Sequence, residues 1–110
     1  MDISFSKPRM SRELSCDAEL QRKYGNQAKV IRRRLDSLCA ADHLGEFTPY
    51  ERPERCHELK GERRGTFTMD LIPPFRLCFK PTDEVFYGLE GGMDWKQVTA
   101  IVIIGVEDTH

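Results

Sequence analysis

His57, Lys60, Arg76, Asp108 and His110 are the residues of this chain whose types suit acid–base chemistry on a charged substrate. Histidine titrates near neutral pH without help, so the two imidazoles and the carboxylate can exchange protons there. A lysine and an arginine beside them can hold phosphate oxygens and stabilise the charge that builds in a phosphorane-like transition state. Such a set could cleave RNA without a metal. One imidazole or carboxylate would take the 2′-hydroxyl proton, and another group would protonate the departing 5′-oxygen. These residues lie far apart in sequence, so only the fold can gather them.

The elements that would do so are legible in the second half of the chain. Ala100-Ile101-Val102-Ile103-Ile104 is an apolar, mostly β-branched run and reads as a fully buried strand. It ends in Glu107-Asp108-Thr109-His110, a polar tip on a rigid platform. Thr66–Leu71 and Phe75–Lys80 alternate strictly and are joined by Pro73-Pro74, which predicts an antiparallel hairpin. In its second strand Phe75, Leu77 and Phe79 face the core, and Arg76, Cys78 and Lys80 face away. Before the hairpin lies the densest polar cluster, His57 to Gly65, a basic turn framed by Gly61 and Gly65. In a contiguous sheet, the non-core sides of these strands would bring all five residues to one cleft.

The first half supplies the cover. Asp2–Ser6 alternates and predicts a short strand, closed by Lys7-Pro8. Ser11 is a candidate N-cap for a helix from Arg12 to about Tyr24, ended by Gly25-Asn26. A second helix runs to about Ala41, marked by Ala28, Ile31, Leu35 and Leu38 at spacings of three and four. Arg32, Arg33 and Arg34 lie inside it and are expected on its outer face, either solvated or facing phosphates or an acidic partner. Residues 42–56 read as a loop, and 81–97, with Gly88, Gly91, Gly92 and Trp95, as a long excursion. The order predicts one α+β domain over residues 1–110. It is an antiparallel sheet with a helical hairpin on one face, ending in the buried strand.

Composition limits the alternatives. No stretch approaches the roughly 20 apolar residues needed to cross a bilayer, and Met1–Phe5 does not open a signal peptide, so no membrane association and a cytoplasmic location are expected. Four cysteines stand 17 to 23 residues apart without a CxxC pair, which predicts reduced, mostly buried thiols and neither a metal site nor a cofactor. The net charge of −1 hides an asymmetry. Residues 1–64 carry 14 Lys and Arg against 11 Asp and Glu, and residues 65–110 carry 3 against 7. Any binding of nucleic acid must therefore use local patches.

Several motifs resemble a known family. His57-Glu58-Leu59-Lys60-Gly61-Glu62-Arg63-Arg64-Gly65-Thr66-Phe67, Phe75-Arg76-Leu77-Cys78-Phe79, Val98-Thr99-Ala100-Ile101 and Glu107-Asp108-Thr109-His110 are similar to the HigB branch of the RelE/ParE toxin superfamily, the plasmid-maintenance killer family. Lys23-Tyr24-Gly25-Asn26 and Gly91-Gly92-Met93-Asp94-Trp95 add to the resemblance, which spans nearly the whole chain. It implies a RelE-like fold and the toxin of a type II toxin–antitoxin pair. Such toxins cut mRNA at the ribosome and are neutralised by a helix-turn-helix, HigA-like antitoxin. On this resemblance His57, Asp108 and His110 would be the acid–base and positioning groups, and Lys60 and Arg76 the phosphate contacts. Arg63, Arg64 and Thr109 would face RNA, although many members carry a tyrosine where Thr109 stands, and the Arg32, Arg33 and Arg34 face would serve the antitoxin or ribosomal RNA. The alternative is a non-catalytic or attenuated toxin of the same fold, directed at gyrase or binding only the antitoxin.

Overall fold

The computed structural model describes residues 1–82 and 92–108. Gly88, Gly91, Thr109 and His110 therefore lie outside the described residues. In chain order the elements are β1 (Asp2–Phe5), α1 (Pro8–Ser15), α2 (Asp17–Tyr24), α3 (Ala28–Ala40), β2 (His57–Glu58), β3 (Phe67–Asp70), β4 (Phe75–Pro81) and β5 (Ala100–Asp108).

The strands form one sheet in the order β1-β5-β4-β3-β2. The predicted hairpin is β3–β4, with Phe67 opposite Phe79 and Asp70 opposite Arg76. β5 pairs antiparallel with β4 on one side and parallel with β1 on the other, where Ile3 meets Ile101 and Phe5 meets Ile103. The sheet is thus mixed rather than wholly antiparallel, because the chain's first strand takes the free edge of its last.

Helices cover one face of this sheet. Leu14, Leu20, Ile31, Leu35 and Leu38 are buried there with Phe67, Met69, Leu77, Phe79, Ile101 and Ile103. Phe67 stacks on Phe79 with ring centroids 5.8 Å apart, and the edge of Trp95 closes on Phe67 at 5.0 Å. Because the cover is one-sided, β5 is not buried on both faces. Ile101 and Ile103 are buried, whereas Val102 and Ile104 are only half-buried.

The helical half departs from expectation in two places. The first helix starts at Pro8, whose missing N–H costs nothing in a first turn. It then breaks at Cys16, which is extended at φ −114° and ψ 121°. On one straight helix Leu14 and Leu20 would point about 120° apart; the break lets both reach the core. At the far end of α2, Gly25 adopts φ +56° and donates its N–H to Gln21 O, turning the chain into α3.

The second departure concerns the arginines. Arg32, Arg33 and Arg34 do not share one outer surface. Arg34 follows Ile31 by three and precedes Leu38 by four, so it lies on the buried stripe of α3. Its Nε donates to Asp70 O at 2.8 Å and its Nη2 to Pro53 O at 3.4 Å, and burial lowers its pKa. Arg34 is a tie between helix and sheet. Arg32 reaches Asp36 and Leu14 O, leaving Arg33 as the exposed member of the three.

Candidate acid–base site on the open face of the sheet

The face of the sheet away from the helices is polar from β2 to β4, and strand register decides what it holds. His57 lies opposite Thr68, Thr68 opposite Cys78, and Cys78 opposite Gly105. Side chains of directly paired residues share a face, so these form one row. The next row is Asp70, Arg76 and Glu107.

Glu107, rather than Asp108, stands in that row because β5 carries a bulge. The register runs Phe79 to Ile103 and then Cys78 to Gly105, leaving Ile104 as the extra residue. Gly105 accommodates the bulge at φ +155°. One added residue reverses the alternation beyond it. Val106 accordingly packs on the core, Glu107 turns to the open face, and Asp108 lies opposite Phe75, on the side away from Arg76. The expectation that Asp108 joins His57 and Arg76 on the non-core side followed from unbroken alternation, which the bulge removes.

His57 is 8% exposed. Its Nδ1 lies 2.7 Å from Arg55 O, and a carbonyl can only accept, so Nδ1 carries the proton. Nε2 is then the acceptor in the neutral ring, and it lies 3.4 Å from Thr68 Oγ1. Tyr50 covers the imidazole, with ring centroids 4.5 Å apart and planes inclined by 14°. The basic form of this histidine is therefore held in one tautomer and one orientation.

Arg76 is not isolated. Its Nε lies 3.4 Å from Asp70 Oδ1, an ion-pair separation without hydrogen-bond alignment, since that oxygen has no hydrogen-bond partner among the described residues. The other carboxylate oxygen of Asp70 takes Arg55 Nη1 at 3.2 Å. Arg76 is thus paired with Asp70 across the hairpin, a contact that also stabilises the two strands.

Beyond β2 the chain makes a 3-10 turn over Gly61–Arg63. This turn lets Arg63 reach across the open face to β5, where its two terminal nitrogens each donate to one Glu107 oxygen at 3.0 Å. The hydrogen-bonded pairing lowers the pKa of Glu107 and raises that of Arg63. Below the pair, burial pushes the Cys78 thiol up to about 12, so it is a neutral floor rather than a nucleophile. Lys60 and Arg64 are exposed at either end of the turn.

The structure thus brings His57 and Arg76 to one face, with Arg63 folded over it. Asp108 lies on the opposite side by register, and Thr109 and His110 fall outside the described residues. Four further residues shape the site without having been singled out for it by sequence: Tyr50, Arg55, Thr68 and Glu107. Thr68 was open to detection, since it alternates with Phe67 and Met69 and so shares the non-core side with Arg76. Tyr50 and Arg55 sit in a loop with no periodicity to read.

Among the described residues no group of three or more His, Cys, Asp or Glu is placed to hold a metal ion. Cys56 and Cys78 are buried, while Cys16 and Cys39 are exposed. No helix among the described residues is long and apolar enough to cross a membrane. Compared with protein-family models and with curated proteins, the chain matches none. What the open face can do follows from its chemistry.

Proposed function

We propose that this protein is the toxin of a type II toxin–antitoxin pair, a metal-independent endoribonuclease that cleaves mRNA at the ribosome on the open face of its sheet. The observation that carries the reading is the fixed tautomer of His57, whose Nε2 is an acceptor on the same face as Arg76 and Arg63. An oriented imidazole that shares a face with guanidinium groups suits removal of a 2′-hydroxyl proton and stabilisation of the phosphorane that follows. Lys60 would add a phosphate contact from the adjoining turn. On the sequence resemblance Asp108 and His110 would join His57 as acid–base and positioning groups. Arg64 and Thr109 would contact RNA, and a HigA-like antitoxin would neutralise the toxin.

A second reading is a non-catalytic toxin of the same architecture. It is favoured by the burial of His57 and by the carboxylates already facing Arg63 and Arg76. Mapping mRNA ends in cells expressing the wild type, His57→Ala and His110→Ala separates the two. The nuclease reading expects new ends with the wild type and their loss in both variants. Growth arrest that persists in both variants would reject it.

A further inference from the structure

We propose that Tyr50 is a stacking platform for an unpaired nucleobase of single-stranded RNA. This rests on the reading of the open face as one that handles RNA, and it adds a binding residue to that face. The Tyr50 ring lies against His57, yet the residue is 52% exposed, so stacking on the imidazole does not bury it. Every base has a π-face, so an exposed ring suits a base of any identity.

The loop holds the ring there against backbone strain. Tyr50 has φ +62° and Arg55 φ +46°, a left-handed conformation unfavourable to residues with a Cβ. Backbone hydrogen bonds fix the loop, from Tyr50 N to Cys56 O at 3.0 Å and from Arg55 N to Glu51 O at 2.8 Å. Strained residues persist where their surroundings over-determine them, commonly at binding sites. The Arg55 guanidinium stands 5.9 Å from the Tyr50 ring centroid and is anchored by Asp70. It puts a positive charge by the ring, which suits a phosphate-bearing strand.

The test uses a short RNA carrying one 2-aminopurine, with 2′-O-methyl groups to prevent cleavage. Binding to the full chain is read from fluorescence quenching. The wild type and Tyr50→Phe should bind alike, whereas Tyr50→Ala and Tyr50→Leu should bind about 5- to 150-fold more weakly, the range for loss of one base–aromatic stack. Tyr50→Leu keeps the test valid should Tyr50→Ala fold poorly. Equal affinity of Tyr50→Leu and the wild type, or no quenching by the wild type, overturns the platform. Tyr50-dependent binding without mRNA cleavage would keep the platform and reject the nuclease; cleavage with unchanged binding in Tyr50→Leu would do the reverse.

Discussion

The two faces of the sheet are held by different physics. On the helix side Phe67, Met69, Leu77, Phe79, Ile101 and Ile103 are fully buried, and removal of apolar surface from water fixes them. On the open side the same strands carry Thr68, Cys78, Asp70, Arg76 and Glu107, fixed by hydrogen bonds and ion pairs. One face stabilises the fold, and the other is oriented by it. Changes on the first should cost stability, and changes on the second should cost activity.

Phe79→Ala should have the largest effect on the fold. It empties a fully buried aromatic site and should cost about 3–5 kcal/mol, read from urea unfolding. A loss below about 1 kcal/mol would break the contrast between the faces. Arg34→Met comes next, since it leaves Asp70 O without its guanidinium donor at the point where helix and sheet meet. A loss of about 2 kcal/mol is expected, with the same measurement.

The Arg63–Glu107 pair should contribute least. Both side chains are about two-fifths exposed, at 41% and 39%, so solvent screens the pair and a double-mutant cycle should give below about 1 kcal/mol. The sign of its pH dependence is fixed by Glu107, whose pKa is lowered in the folded state. Its contribution is present above the ordinary glutamate pKa of about 4.3 and disappears as pH falls through the folded value. Melting of the wild type and Glu107→Gln should therefore differ at neutral pH and converge in acid. Convergence at high pH instead would contradict the assignment.

Much of the frame was legible in the sequence, because strict alternation marks β3 and β4 and the spacing of Ile31, Leu35 and Leu38 marks α3. Arg34 was legible too, being on that same stripe, although its charge is that of an outward-facing residue. The break at Cys16 and the parallel pairing of β1 depend on tertiary packing, which local pattern does not encode. The site was harder to read, in part because Tyr50 and Arg55 lie in a loop without periodicity. A single bulge at Ile104 and Gly105 exchanges Asp108 for Glu107 on the open face, and nothing in the apolar run before it announces the extra residue.

The most direct test of the nuclease reading is the chemistry of the RNA ends produced when the chain is expressed. Attack by a 2′-hydroxyl, with His57 as base, leaves a 2′,3′-cyclic phosphate upstream and a 5′-hydroxyl downstream. Those ends are expected for the wild type, falling at least about 100-fold in folded His57→Gln. Fragments bearing 5′-phosphates, or unchanged cleavage by His57→Gln, would contradict it.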